Sequence, residues 1–267
     1  MRESSPRRTF IKSAILTGLA TAIAPAIGLA SELTSEIESQ SESIMPAEKN
    51  LIFLFQGDSI TDGKRGRTED LNHIMGHGYV FAAASRIGAD FPESGFKFYN
   101  RGISGNKLSD LEKRWQADTI DIKPDVLSVL IGINDVAAVV ERKPEMMEVQ
   151  QFEVVLRKLL QQVKSANPNV LIVLGIPFVY PVGKRKENWA LWENETAQRS
   201  AIVRKLAAEF NAVVVDYPAM FDKAMKKATP DYWVWDGVHP TIFGHELMAR
   251  EWNKQVSTLL KFLKIYK

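Results

Sequence analysis

Val126-Leu127-Ser128-Val129-Leu130-Ile131, followed directly by Gly132-Ile133-Asn134-Asp135, is the stretch on which the fold turns. Its run of aliphatic side chains shows no in/out alternation, the mark of a strand covered on both faces of a sheet. Similar short apolar runs occupy residues 51–55, 96–99, 170–176 and 212–215. Between them, residues 78–90, 107–117, 148–166 and 193–210 have helical spacing. A final helix is expected over 241–263, with Leu247, Trp252, Val256, Leu259 and Leu260 as its apolar residues. Alternation of strands and helices implies right-handed crossovers and a three-layer α/β/α sandwich around a five-stranded parallel sheet. Ligands of such folds bind beyond the carboxyl ends of the strands.

The composition agrees with a folded α/β domain and narrows its chemistry. Of 267 residues, 45% are apolar and 25% charged, which excludes disordered, collagenous and multi-span membrane classes. The absence of cysteine removes thiol nucleophiles, disulfides, iron–sulfur centres and cysteine-based zinc sites. The net charge of +2 comes from the amino terminus, where Arg2, Arg7, Arg8 and Lys12 face only Glu3; the rest of the chain carries no bias towards nucleic acid.

Residues 1–30 have the form of an export signal. Arg7-Arg8-Thr9-Phe10-Ile11-Lys12 leads into the moderately apolar stretch 14–29, and Gly28-Leu29-Ala30 supplies small residues for cleavage. The paired arginines resemble the bacterial twin-arginine signal, which implies a periplasmic or extracellular protein. Pro25 and two glycines interrupt a run already short for a membrane span. Residues 31–49, rich in Ser and Glu, are expected to form a flexible spacer, leaving 50–267 as the domain.

Chemistry collects in four short motifs. Gly57-Asp58-Ser59-Ile60-Thr61 ends the first strand and offers a hydroxyl in a cleft. Serine is a weak nucleophile that needs an oriented general base. Asp236-Gly237-Val238-His239-Pro240, just before the last helix, supplies one: three positions apart in a turn, the carboxylate can curl back to Nδ1 and leave Nε2 facing a hydroxyl. Asn100-Arg101-Gly102-Ile103-Ser104-Gly105-Asn106 and Gly132-Ile133-Asn134-Asp135 follow the second and third strands. Glycine amides and an asparagine side chain are the donors an oxyanion hole requires, although taken singly such residues are also ordinary turn formers.

The order and spacing of all four motifs resemble the SGNH, or GDSL-type, hydrolase superfamily from about residue 50 to the final helix. That resemblance implies the flavodoxin-like fold of the superfamily and a serine esterase. It implies Ser59 as nucleophile, Asp236 and His239 as its partners, and an oxyanion hole from the Ser59 and Gly105 amides with the Asn134 side chain. Isoleucine replaces the family's leucine after Ser59, and Ile133 stands where a second glycine is frequent. Neither change removes a polar group. The missing glycine two residues after Ser59 speaks against the G-x-S-x-G elbow of the α/β-hydrolase fold.

The substrate is less tightly specified. Residues 177–187 after the fourth strand are basic and rich in turn formers, unlike a long apolar lid, so a small acyl group is expected. Trp189, Trp192, Trp233 and Trp235 offer flat faces to sugars or pack in the core. Asp58, Tyr180, Trp233 and Trp235 are the candidate substrate contacts, and acetylated carbohydrate is the expected ester. Lysophospholipid, other acyl esters and a non-catalytic carbohydrate-binding role remain alternatives. Lys64, Arg65 and Arg67 either meet an anionic substrate or form a solvated loop. His73 and His77 have helical ligand spacing, but Gly76 and Gly78 weaken a helix there and no third ligand is evident, so no metal or other cofactor is expected.

Overall fold

The computed structural model describes residues 48–266; the expected export signal and all of the spacer but Glu48 and Lys49 lie outside them. Five strands, β1 Ile52–Gly57, β2 Lys97–Asn100, β3 Val126–Leu130, β4 Leu171–Gly175 and β5 Val213–Val215, form one parallel sheet in the order β2-β1-β3-β4-β5. Among the described residues the helices are α1 Ser59–Asp62, α2 Tyr79–Asp90, α3 Leu108–Trp115, α4 Ile133–Val140, α5 Val149–Ala166, α6 Trp189–Glu209, α7 Tyr217–Met225, α8 Pro230–Trp233 and α9 Ile242–Val256.

Alternation does exist within the strands, hidden because both faces are apolar. Val126 and Leu130 of β3 join Phe53, Phe55 and Val173 in the core under α2, α7 and α9, while Leu127 and Val129 join Leu54, Ile172 and Leu174 under α3, α5 and α6. The exception, Ser128, is buried and accepts a hydrogen bond from Trp252 Nε1 at 3.0 Å. A polar atom in the core is thereby satisfied by the largest side chain of α9.

The order of strands reverses at β1, which pairs with β2 on one side and β3 on the other. A crevice opens at such a reversal beyond the strand ends, since successive loops leave in opposite directions. Gly57 pairs with Leu130 at that edge, and a Cβ on Gly57 would lie 2.4 Å from Leu130 O and from Thr61 Oγ1. Only glycine lets the serine-bearing turn sit this close to β3.

Some boundaries differ from the sequence expectation. The final helix stops at Val256 instead of running to 263: the hydroxyls of Ser257 and Thr258 fold back onto the carbonyls of Lys254 and Gln255 and take acceptors that would continue it. Helix α6 begins a turn earlier, at Trp189. Helix α4, which carries Asn134, was hidden within an apolar stretch that follows a strand directly.

Candidate active site

Ser59 is the first residue of α1 at the end of β1. Asp58 caps that turn, its Oδ1 accepting from the Ile60 amide at 3.0 Å. Across the crevice, Ser59 Oγ and His239 Nε2 stand 2.8 Å apart, bridging 180 positions of sequence. His239 Nδ1 lies 2.8 Å from Asp236 Oδ2, while Asp236 Oδ1 accepts from the amides of Val238 at 3.0 Å and His239 at 2.7 Å. An ionised carboxylate only accepts, so the proton must sit on Nδ1 and the Nε2 lone pair faces the serine hydroxyl.

The loop holding this pair is fixed from several sides. Val234 and Pro240 form an antiparallel bridge, Trp235 N donates to His239 O at 3.0 Å, and Tyr180 N donates to Gly237 O at 2.8 Å. The electrostatics follow. Partial burial works against ionisation of Asp236, but the His239 ring and the two amides outweigh it and hold the carboxyl at about 2. The same hydrogen bond raises His239 above its usual 6.5 against the opposing effect of burial.

The amides of Ser59 and Gly105 have no protein acceptor among the described residues, and Asn134 Nδ2 spends one hydrogen on Asn106 O at 3.0 Å, leaving the other. Two buried carboxylates keep these donors in register. Asp62, on the serine turn, accepts from Ser104 N and Ser104 Oγ, both at 2.9 Å, beside Gly105. Asp135, next to Asn134, takes the Leu108 amide on both oxygens at 3.1 and 3.2 Å. Burial pushes Asp58 and Asp135 up to about 7.

Neither Asp62 nor Asp135 was singled out from the sequence in this role. The available signal was an acid inside a Gly-rich or aliphatic motif at a strand end, where a charge must find a partner. Asn100 is a third such residue, donating to Thr61 O at 2.8 Å and Met75 O at 3.0 Å while accepting from Gly102 N.

The candidate substrate contacts separate in the structure. Trp235 is 62% exposed and stacks beside the His239 ring, centroids 6.3 Å apart. Trp233 is partly buried against the core. Tyr180 is buried, and its hydroxyl donates towards Asp222 and Pro218 O; Asp58 is buried as the cap of α1. The Tyr180 hydroxyl and Asp58 Oδ1 are thus engaged by the protein, whereas Asp58 Oδ2 is buried without a hydrogen-bond partner. Trp192 is buried and Trp189 packs on the core. Arg67 is taken up bidentately by Asp62, and Arg65 Nε donates to Gly102 O.

A family model described as the GDSL-like lipase/acylhydrolase family matches residues 55–247, a span that runs from β1 past His239. The chain belongs to this family. Among curated proteins it is 35% identical over 208 residues to an acetylxylan esterase of Geobacillus stearothermophilus, covering 76% of this chain and 92% of the relative. Among solved structures, a GDSL-like lipase from Parabacteroides merdae is 38% identical with a TM-score of 0.75, covering 80% of this chain and 98% of that one. The crystal structure of the Geobacillus acetylxylan esterase is 34% identical with a TM-score of 0.70, covering 79% and 96%. As a GDSL-family member the protein is a hydrolase acting on ester bonds, with the five-stranded parallel fold of its neighbours. Among the described residues no helix is long and apolar enough to cross a membrane.

Proposed function

We propose that this esterase removes acetyl groups from carbohydrate, with acetylated xylan as the first substrate, through a Ser59–His239–Asp236 triad. The observation that carries the reading is the unbroken chain from Ser59 Oγ to His239 Nε2 and from His239 Nδ1 to Asp236, each step 2.8 Å. His239 takes the serine proton as Oγ attacks the acetyl carbonyl, and Asp236 steadies the resulting imidazolium. The Ser59 and Gly105 amides and the free Asn134 hydrogen receive the oxyanion. His239 then returns the proton to the leaving sugar oxygen, and water repeats the sequence to release acetate.

The carbohydrate assignment is supported by the relative's name and by Trp235, an exposed ring beside His239 suited to a sugar face. The Geobacillus enzyme has also been crystallised as catalytic mutants of an aspartate and of a histidine three positions later, the spacing of Asp236 and His239. A short acyl group suits residues 183–186, which form a basic 3-10 turn instead of an apolar lid. Residues 1–30 serve as a twin-arginine export signal and 31–49 as a spacer, which would bring the domain to extracellular polysaccharide.

Acetate release from acetylated xylan, compared with 4-nitrophenyl esters from acetyl to dodecanoyl, tests the reading. Rates should be highest for acetyl, and Ser59→Ala should abolish the product burst without moving the thermal midpoint. Turnover by Ser59→Ala refutes the nucleophile; a preference for long chains refutes the substrate.

A further inference from the structure

Most arginines around the crevice have acceptors. Arg67 is held by Asp62, Arg65 by Gly102 O, and Arg114 by Gln56, Asp118 and the carbonyl of Arg101. Arg185 differs. It lies in the turn Gly183–Lys186, between Lys184 and Lys186, and its side chain meets no carboxylate among the described residues. Its Nε is buried without a hydrogen-bond partner. The side chain as a whole is only half-buried, and its terminal nitrogens, which are not buried, meet no acceptor among the described residues.

Arg185 is nevertheless firmly placed. The guanidinium carbon stacks over Trp192 at 4.7 Å from the ring centroid, and the backbone amide donates to Val182 O at 3.0 Å. The aliphatic stem lies against Gly237 of the triad loop, where a Cβ would come 2.9 Å from Arg185 Cγ and 2.3 Å from Tyr180 O. Gly237 also has φ +88, a conformation that side chains oppose. The stem therefore packs beneath the loop that carries His239, and the positive charge acts on that imidazole, opposing its protonation. Stacking on Trp192 fixes one face of the guanidinium and leaves its N–H edge as the means of recognition.

We propose that Arg185 is a specificity-determining anchor for a carboxylate on the substrate, that of a hexuronic acid residue near the acetylated sugar. A planar carboxylate matches the edge formed by the terminal guanidinium nitrogens, which have no acceptor among the described residues. Lys184 and Lys186, both exposed, reinforce the positive rim. The inference rests on the carbohydrate reading above and deepens it by naming the class of sugar.

The test compares two substrates on the full chain: acetylated xylo-oligosaccharides bearing a glucuronic acid branch, and the same oligosaccharides with that branch removed. The native protein should favour the acidic substrate by at least about ten-fold in kcat/KM, mainly through KM. The ratio should fall with added salt. Arg185→Met, which keeps a stem against Gly237, should bring the ratio close to one, and Arg185→Lys should restore part of it. A native ratio of one, a ratio that survives in Arg185→Met, or a proportional loss on both substrates overturns the proposal; the last outcome would make Arg185 a buttress for Gly237 alone. Should Arg185→Met fail to fold, glucuronate must still inhibit the native protein's aryl acetate hydrolysis more strongly than xylose, and equal inhibition overturns the anchor. Equal deacetylation of both oligosaccharides removes the anchor and leaves the carbohydrate reading standing, whereas aryl acetate turnover with neither oligosaccharide cleaved removes both.

Discussion

Replacing Asp236 with asparagine removes one charge while keeping the side chain's shape, so its cost can be worked from the geometry. The carboxylate accepts from the His239 ring and from the amides of Val238 and His239. Partial burial opposes ionisation, those donors outweigh it, and the carboxyl is held at about 2 against an ordinary 3.8. Asparagine stands in for the protonated acid. Each unit between folded and unfolded values corresponds to ~1.4 kcal/mol, so the variant should be less stable by about 2 kcal/mol at pH 7. The sign follows from the depression: the stabilisation is fully present well above 3.8 and disappears as pH falls through about 2. The difference between the two proteins should therefore shrink to about half by pH 3. The catalytic cost is larger, because an amide no longer fixes the proton on Nδ1 or offsets the imidazolium; kcat/KM should fall by about 10³ to 10⁴. Urea denaturation at both pH values and initial rates on 4-nitrophenyl acetate measure the two effects. Activity within about ten-fold of native, or equal stability at pH 7, would refute the reasoning.

Asn134→Ala removes the proposed side-chain donor to the oxyanion, and kcat should drop about a hundred- to a thousand-fold with KM little changed, read by steady-state kinetics. The pH profile of kcat/KM should lose its rate on the acid side with a midpoint above 6.5, because the proposed base His239 can accept a proton only when neutral and its hydrogen bond to Asp236 raises its pKa. In stability the same shift has the opposite sense: the charged imidazole stabilises the fold below pH 6.5, and the effect is lost as pH rises through the raised value. Gly57→Ala places a methyl 2.4 Å from Leu130 O, so β1 and β3 must separate beside Ser59; about 2 kcal/mol or more of stability should be lost in urea melts, with activity falling too.

Much of the protein was legible in its sequence because the governing physics is local. Unbroken aliphatic runs such as 126–131 identify strands buried on two faces, and their alternation with amphipathic stretches leaves little choice but a parallel sheet between helix layers. Asp236 and His239 sit in one turn, so their pairing needed no distant information. Local pattern misjudged the end of α9, where two hydroxyls compete for backbone carbonyls, and it passed over α4. Nor could it tell where the polar atoms of Tyr180 and Asp58 turn: the Tyr180 hydroxyl meets Asp222, and one Asp58 oxygen caps α1.

Only the tertiary structure could bring Ser59 to within 2.8 Å of His239, because that contact depends on how β1 and the loop before α9 meet across the whole sheet. The same holds for Asp62 reaching Ser104, for Asp135 reaching Leu108, and for Arg185 lying between Trp192 and Gly237. Each joins segments far apart in the chain. Residue type and spacing determine what a side chain can do chemically; burial and the choice of partner, which arise only on packing, decide which of those abilities is used.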